Sequence, residues 1–371
     1  MEKEIFLTKR DKKFFKAKLK NVQRPNWTIN NFRDKKKFWL DKNENCDELL
    51  HKEIKKIFDT IKIESIFSYP DLSKLYKKLA KSLKVNAENL LLTAGSDSGI
   101  KTVFETFVNE GDIIIRTNPT FAMYSIYSKV FNTKEILLNY KKTTQGPKIN
   151  LKDIIKVILK KKPKLICLPN PDSPTGHSFS SSEINNLLKK AKIAGSLVLI
   201  DEAYYPFYTF TAKKFIKKFS NLIIVRTTSK AWGLAGLRVG YVLSSKNIIK
   251  EMHKVRPMYE INNVGAELFN KYIDKQNLVK KSVKRLLEGK KYFIKEMLNL
   301  GFELFKKEEG NFIHINFRNH RKKILHELSK KVYFRKNEIH NSMINFSRFS
   351  LTSKNNFKII TTIIKKCIKK N

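Results

Sequence analysis

Arg226-Thr227-Thr228-Ser229-Lys230-Ala231-Trp232-Gly233-Leu234-Ala235-Gly236-Leu237-Arg238-Val239-Gly240-Tyr241 is the stretch on which the reading of this chain turns. The apolar run before it, Leu222-Ile223-Ile224-Val225, has the length and branched content of a buried strand, and Tyr241-Val242-Leu243 opens another. Between them lies a loop rich in small residues, with one lysine, hydroxyls just before it and an arginine downstream. That arrangement suits an amine that forms a Schiff base beside a bound phosphate. A random lysine of so lysine-rich a chain would be a solvated surface group, but the neighbours single out Lys230.

With 371 residues the chain can bury a large core, and it exceeds the ~100–200 residues of one domain, so two domains sharing a site are expected. A hydrophobic content of 41%, with 26 Phe and 13 Tyr, suffices for a packed interior. The charge is extreme: 76 Lys+Arg against 34 Asp+Glu give +42. Such a surface attracts nucleic acid, anionic membranes or phosphorylated substrates. The lysines are spread over every segment, however, as Lys12, Lys36, Lys77, Lys161, Lys190, Lys217, Lys280 and Lys365 illustrate. No winged or helix-turn-helix segment stands ahead of the rest, so a nucleic-acid-binding protein on this fold is only the alternative from another class. Cys46, Cys167 and Cys367 are too widely spaced for a disulfide framework or a zinc site, and histidines such as His51, His177 and His314 show no ligand spacing, so no metal is expected. The first ten residues lack the apolar centre of a signal peptide, and no run approaches the ~20 residues of a membrane span. A soluble cytoplasmic protein is the expectation.

Taken in order, the first 37 residues are basic and weakly periodic, with Phe14, Phe15 and Trp27 as possible anchors of an arm. Leu72, Leu75, Leu79 and Leu83 have helical spacing, and Asp71 suits the cap. Leu90-Leu91-Leu92-Thr93 reads as a strand and Ala94-Gly95-Ser96-Asp97-Ser98-Gly99 as the turn into a helix over 100–108. Backbone amides at such a turn form an anion site, although the ending of a P-loop is missing. Residues 111–115 give the next strand of a βαβ unit. Leu197-Val198-Leu199-Ile200 ends in Asp201-Glu202-Ala203-Tyr204, an acid at the carboxyl end of a strand, where open α/β sheets place their ligand groups. Helical patterns fill 266–300, residues 311–317 alternate like a strand, and a lysine-rich amphipathic helix closes the chain.

Ser229-Lys230-Ala231 followed by Gly233-Leu234-Ala235-Gly236-Leu237-Arg238 resembles the pyridoxal-phosphate lysine motif of fold type I aminotransferases of class I/II, most closely the histidinol-phosphate aminotransferase group. The resemblance implies that Lys230 carries the cofactor, while Ser229 and Arg238, with Thr227 beside them, hold its phosphate. The turn with Ser96 and Asp97 corresponds to the one that cradles the cofactor. Asn118-Pro119-Thr120-Phe121-Ala122-Met123-Tyr124 is similar to the segment whose aromatic side chain lies on the pyridine ring, which points to Phe121. Asn170-Pro171-Asp172-Ser173-Pro174-Thr175-Gly176 resembles Asn-Pro-x-Asn-Pro-Thr-Gly, whose second asparagine bonds the ring oxygen. Here Ser173 stands there, and its shorter reach calls for a bridging water or for Asn170. Asp201 would face the pyridine nitrogen and keep it protonated, and Tyr204 would donate to the ring oxygen. Tyr69, in Tyr69-Pro70-Asp71, matches a tyrosine that reaches the cofactor phosphate of the other subunit and so implies a homodimer.

On the substrate side, Asn43-Glu44-Asn45 precedes Cys46 where the family often has proline, and Asn45 would line the site or sit in a polar turn. Arg348 matches the arginine that takes the substrate carboxylate in a two-pronged pair. The resemblance runs from roughly Leu40 to Thr352. It implies an α/β fold with a mostly parallel, seven-stranded type of sheet between helices, plus a smaller α+β domain. The expected division is 1–64 as arm and part of the small domain, 65–255 as the large cofactor-binding domain and 256–371 as the carboxyl-terminal small domain. The implied activity is pyridoxal-phosphate-dependent transamination between a small-molecule amino donor and an oxo acceptor, with Lys230, Asp201 and Tyr204 as catalytic residues. The alternative within the fold is a decarboxylase of amino-acid phosphates such as threonine phosphate, which uses the same lysine, aspartate and arginine.

Overall fold

The computed structural model describes residues 19, 22, 33–337 and 340–368. Phe14, Phe15 and Trp27 of the expected arm lie outside them, as do the last three residues of the tail. The described chain runs through β1 (Phe38–Trp39), α1 (Glu48–Phe58), α2 (Glu64–Phe67) and α3 (Ser73–Leu83) before entering its principal sheet. That sheet is built from β2 (Leu90–Thr93), β3 (Ile113–Asn118), β4 (Lys134–Asn139), β5 (Leu165–Pro169), β6 (Leu197–Asp201), β7 (Leu222–Thr227) and β8 (Gly240–Ser244). The seven strands lie in the order β2-β8-β7-β6-β5-β3-β4, and only β8 runs antiparallel to its neighbours. β5, β6 and β7 are rich in Leu, Ile and Val and buried almost throughout, as central parallel strands covered on both faces must be. The connections carry α4 (Gly95–Phe107), α5 (Met123–Val130), α6 (Leu151–Lys161) and α7 (Ser181–Ile193), and α8 (Lys246–Val255) follows the last strand.

Beyond it come α9 (Asn263–Tyr272) and α10 (Gln276–Asn299), then β9 (Glu303–Leu304), β10 (Phe312–Asn316), α11 (Arg321–Ser329), β11 (Val332–Tyr333), β12 (Arg335–Lys336), β13 (Ser347–Ser350) and α12 (Lys354–Ile368). β12-β13-β10-β9 form an antiparallel sheet, while β1 pairs with β11 in parallel and ties the early chain to the late chain. The small sheet has two different faces, as strand periodicity dictates. Ile313, Ile315 and Phe349 enter the main core, where Phe349 packs edge-on against Phe293 of α10. Phe312, His314, Arg348 and Ser350 occupy the other face.

Two helix starts are each governed by a single residue. Before α3, Leu72 takes the cap position expected for Asp71, and the Asp71 carboxylate, one residue earlier, accepts from the Ser73 N–H at 2.9 Å. The helix expected over 100–108 begins earlier, at Gly95. Gly95 takes φ +81°, which lets the chain turn from strand to helix within one residue, so Ser96 and Asp97 lie in the first helical turn.

At the carboxyl ends of β6 and β7, Arg226 and Glu202 form a buried ion pair at 2.8 Å, with side chains 4% and 1% exposed. The Glu202 carboxylate also accepts from Thr211 Oγ1 at 2.8 Å and from the Ala212 N–H at 2.6 Å, and the guanidinium lies 4.0 Å from the Tyr205 ring centroid. The pair fastens together the strands that carry Asp201 and lead to Lys230. Breaking one side of it leaves an uncompensated buried charge. Glu202→Gln and Arg226→Met are each expected to lower stability by about 3–5 kcal/mol in urea unfolding, and the double change Glu202→Leu/Arg226→Met to recover much of that loss.

Candidate active site

Lys230 leaves β7 in a loop closed on itself: Thr228 donates its backbone N–H to Val239 O at 3.0 Å and its Oγ1 to the same oxygen at 2.9 Å, and Leu234 N–H returns to Thr228 O at 3.0 Å. The half-buried lysine donates from Nζ to Lys42 O at 2.8 Å. Burial first, then the nearby charges of Arg348 and Arg238, lower its pKa to about 8, against the opposing pull of Glu44 and Asp201.

Beside it lies a compact anion cradle. Thr227 Oγ1 donates to Ser229 Oγ at 2.8 Å and accepts the Ser229 N–H at 3.1 Å. Arg238, held at φ +53°, donates to Ser229 Oγ at 3.4 Å and to Ala94 O at 3.4 Å. A Cβ on Gly95 would stand 2.7 Å from Arg238 Nη2, and one on Gly240 would stand 2.7 Å from Gly95 Cα. Glycine at both positions is what lets the guanidinium meet the first turn of α4, whose initial N–H groups have no partner within the helix. Ser96 and Asp97 line that turn, and Asp97 Oδ1 accepts from Tyr127 OH at 2.9 Å. A guanidinium, two hydroxyls and a helix amino end, brought together by glycine at two positions, fit a phosphate monoester.

Asp201 ends β6 and is 5% exposed. Its carboxylate accepts from neutral donors, the Ala203 N–H at 2.9 Å and Tyr124 OH at 3.2 Å. Burial raises its pKa to about 7, helped by the Glu202 and Asp97 charges and opposed by those two bonds. A buried carboxylate of this kind gains from a cationic N–H, and a protonated ring nitrogen supplies one. Phe121 is part-exposed and meets Tyr124 edge-on at 6.2 Å, which leaves its ring face available for stacking. Tyr204 OH accepts from Asn43 Nδ2 at 2.9 Å, and the Ser173 hydroxyl bonds it as well.

Above these groups stand two arginines. Arg335 and Arg348 are directly opposite in the β12–β13 ladder. Arg335 Nε and Arg348 Nη2 both donate to the carbonyl of Asp41 at 3.2 Å, and Arg348 Nη1 donates to Ser173 Oγ at 3.3 Å. Like charges side by side on one neutral acceptor call for an anion.

The structure thus gathers Lys230, Ser229, Thr227, Arg238, Ser96 and Asp97 in one region and Tyr204, Ser173 and Arg348 in another, with Asp201 linked to the lysine electrostatically. Three expected residues are placed otherwise. Asn170 spends its amide on Phe179, accepting its N–H at 2.7 Å and donating to its carbonyl at 3.2 Å, so it braces a loop and leaves Ser173 beside Tyr204. Asn45 donates to Ala231 O at 3.0 Å and Ser282 Oγ at 3.1 Å, anchoring its loop to the lysine loop and α10. Tyr69 is 77% exposed and stacked on Tyr259 at 4.2 Å, at the surface of the single chain. Sequence reading missed Asn43, whose φ of +56° asparagine tolerates better than most residues, and Arg335, whose exchange partner across the ladder is invisible in one dimension. It also missed Asp172, fully buried under three hydroxyls: Thr117 and Thr120 at 2.6 Å and Tyr140 at 2.8 Å.

Residues 35–363 match the family described as aminotransferase class I and II. The chain is 34% identical over 285 residues to a histidinol-phosphate aminotransferase of Caldanaerobacter subterraneus subsp. tengcongensis, covering 76% of this chain and 79% of that one. Its fold is similar to that of the histidinol-phosphate aminotransferase of Sinorhizobium meliloti in complex with pyridoxal-5'-phosphate, with a TM-score of 0.74, 18% identity and 90% of each chain covered. It is equally similar to L-threonine-O-3-phosphate decarboxylase of Porphyromonas gingivalis, with a TM-score of 0.74, 17% identity, and 90% of this chain and 100% of that one covered.

The lowered pKa makes a measurable statement about Lys230. Only the neutral amine reacts with a small aldehyde, and with a pKa of about 8 the neutral fraction rises about tenfold per pH unit below that value and levels off above it. Reductive methylation at Lys230 of the cofactor-free protein, followed by peptide mass spectrometry, is expected to plateau above pH 8 while exposed lysines keep gaining toward pH ~10. Arg348→Met removes a repelling charge and should move the Lys230 plateau to higher pH.

Proposed function

The chain belongs to the class I and II aminotransferases, whose members use pyridoxal 5'-phosphate, and from that premise we propose that it transfers the amino group of a phosphorylated amino compound, histidinol phosphate above all, to a 2-oxo acid. The observation that carries the choice of substrate is the Arg335–Arg348 pair: two guanidiniums on one site suit a dianionic phosphate better than a single carboxylate. The names of the relatives, histidinol-phosphate aminotransferases, agree with that chemistry.

In this reading Thr227, Ser229, Arg238, Ser96 and the amino end of α4 hold the cofactor phosphate, Asp201 the ring nitrogen, and Tyr204 with Ser173 and Asn43 the ring oxygen, while Phe121 covers the ring. Asn170 and Asn45 act as braces of the surrounding loops. Pyridoxal phosphate, when bound, supplies a ring that withdraws the electron pair left at the substrate Cα. Arg335 and Arg348 would fix the substrate at its phosphate end, so that the Cα–H is presented to Lys230. Lys230 Nζ, whose lowered pKa leaves a useful share of neutral amine near pH 7, takes the proton from Cα as general base. Lys42 O holds that amine in place, and the Asp201 carboxylate would favour a protonated ring nitrogen when the cofactor is bound.

We further assign 65–255 to a cofactor-binding unit, and 256–371 with the early chain to a smaller one. The enzyme is taken to act as a homodimer in the cytoplasm. Ile63, Ile66, Phe67 and Tyr69 stand exposed in and around α2, and the stacking of Tyr69 on Tyr259 brings exposed Met258 of the turn after α8 beside them, an apolar surface that a second copy would cover. Among the described residues no helix is long and apolar enough to cross a membrane.

Histidinol phosphate has no carboxyl group, so its turnover separates transfer from decarboxylation. Purified enzyme with histidinol phosphate and 2-oxoglutarate is expected to form glutamate, and Lys230→Ala to form none. Arg335→Met and Arg348→Met should each raise KM for the phosphorylated amine by about 10- to 100-fold, the loss of one charged hydrogen bond, with a smaller fall in kcat. Carbon dioxide from threonine phosphate without glutamate formation would overturn the transaminase reading of the substrate. Ile66→Asp combined with Phe67→Asp is expected to yield monomers in sedimentation and to abolish turnover; an active monomer would refute the dimer.

A further inference from the structure

His314 lies in β10, fully buried, directly opposite Arg348 in the β10–β13 ladder, so the two side chains rise from the same face with Cβ atoms about 4.5–5.5 Å apart. Its Nδ1 is bonded to one oxygen of Glu308, and the other Glu308 oxygen accepts the backbone N–H of His314 at 3.0 Å. A carboxylate on Nδ1 requires the ring proton there, which leaves Nε2 of the neutral ring as a bare acceptor. That Nε2 is buried and has no hydrogen-bond partner. The Nε of Arg348 is also buried and without a partner, and it can only donate. A lone acceptor and a lone donor therefore sit on two directly opposed residues.

Resting on the reading of Arg335 and Arg348 as the anion-binding pair, we infer that Glu308 and His314 are positioning residues: Glu308 holds His314 as an acceptor onto which Arg348 Nε–H turns when an anion occupies the guanidinium. Arg348 donates from Nη1 to Ser173 Oγ and from Nη2 to the Asp41 carbonyl. An anion bound through Nη1 and Nη2 displaces both contacts and leaves Nε–H as the free edge, with His314 directly opposite in the ladder. The histidine then fixes the angle at which the guanidinium meets the phosphate.

Glu308 is built in firmly enough to serve. Its carbonyl accepts Lys290 Nζ from α10 at 2.7 Å, and the next residue donates its N–H to Gly176 O at 2.9 Å. Gly176, at φ +70°, has space only for hydrogen on that side, since a Cβ would lie 2.5 Å from Glu308 Cγ. The segment is thus wedged between α10 and the Ser173 loop. The charged groups facing His314 are Glu308 from the turn before β10, Arg348 from β13 and Lys290 from α10. Around Arg348 stand Arg335 from β12, Asp41 from the loop after β1, Tyr204 from the loop after β6, Lys230 from the loop after β7, His314 from β10 and Glu308 itself. Burial, reinforced by Arg348 and Lys290 and opposed by Glu308, lowers the His314 pKa, which favours the neutral acceptor form at neutral pH.

The test is the affinity of the cofactor-loaded enzyme for inorganic phosphate, measured by calorimetry, beside kcat and KM for the phosphorylated amine. His314→Phe should weaken phosphate and raise KM by about tenfold, the loss of one hydrogen bond to a charged group, with kcat within about threefold. His314→Gln, whose amide oxygen can accept, should return both to within about threefold of wild type. Glu308→Gln frees the ring to take its other tautomer and should weaken phosphate several-fold, but have no added effect in the His314→Gln background. Wild-type affinity should fall as His314 becomes protonated at acid pH, more steeply than in His314→Gln. Should His314→Phe fail to fold, the Glu308→Gln and His314→Gln comparisons decide alone. Phosphate binding that is lost in Arg348→Met but unchanged in the His314 and Glu308 variants overturns the positioning pair and spares the anion site. Phosphate binding that Arg348→Met leaves intact overturns both.

Discussion

A carboxylate and a guanidinium with almost no access to water sit between the ends of β6 and β7, and the site depends on their staying paired. Glu202 follows Asp201, and Arg226 precedes the lysine loop by a few residues, so the ion pair at 2.8 Å sets the separation of the carboxylate and the amine. In a low-dielectric interior neither charge survives alone, and each therefore enforces the position of the other. Thr211, the Ala212 N–H and the Tyr205 ring complete the cage. The arrangement places a rigid, fully satisfied polar cluster directly behind two groups whose own pKa values are displaced toward neutrality, Asp201 to about 7 and Lys230 to about 8. Displaced values of this kind need a fixed environment, because a carboxylate or amine free to move would find water and return to its ordinary range.

The second constraint is positive charge. Lys230, Arg335 and Arg348 all donate to the carbonyls of two consecutive residues, Lys42 and Asp41. That short loop is itself held by Arg33, which bridges Asp41 at 2.6 Å and Glu44 at 2.5 Å and lies over Trp39. Asn43, next in the chain, is fastened on its backbone by Ser350 Oγ and Asn311 Nδ2, both at 2.8 Å, to the small sheet. The loop therefore acts as a joint between the two sheets. Its carbonyl dipoles partly compensate these cations, and an ionised ligand would compensate them better.

How much of this can be read in one dimension depends on the range of each signal. The central strands and the small-residue lysine loop are local patterns, and the sheet they imply is present with its mostly parallel order. Asp201 and Lys230 are legible for the same reason. Motif position points to Asn45 and Asn170, yet their amides are taken by Ala231, Ser282 and Phe179, partners distant in sequence or hidden in a turn. Asn43, two residues from Asn45, has the outlook toward Tyr204 because a left-handed backbone rotates it there. Arg335 and His314 acquire meaning only through register: each stands opposite Arg348, on opposite sides of one strand, and strand register is a tertiary fact.

Register also bears on the serine at position 173. A serine carries one hydroxyl proton where asparagine carries two amide hydrogens, so a direct substitution leaves the neighbourhood short of a donor. The structure supplies that donor from the opposite side: Asn43 Nδ2 reaches Tyr204 OH at 2.9 Å, while Ser173 Oγ receives Arg348 Nη1 at 3.3 Å and bonds the same tyrosine. Tyr204 thus accepts from its surroundings, and its own proton is left for a partner in the pocket. In the proposed site that partner is the ring oxygen, and Ser173 becomes the link through which an anion on Arg348 is felt at Tyr204. The departure from the family pattern at this position thus puts one hydroxyl between the Arg348 guanidinium and the Tyr204 phenol, a link that the two groups would otherwise lack.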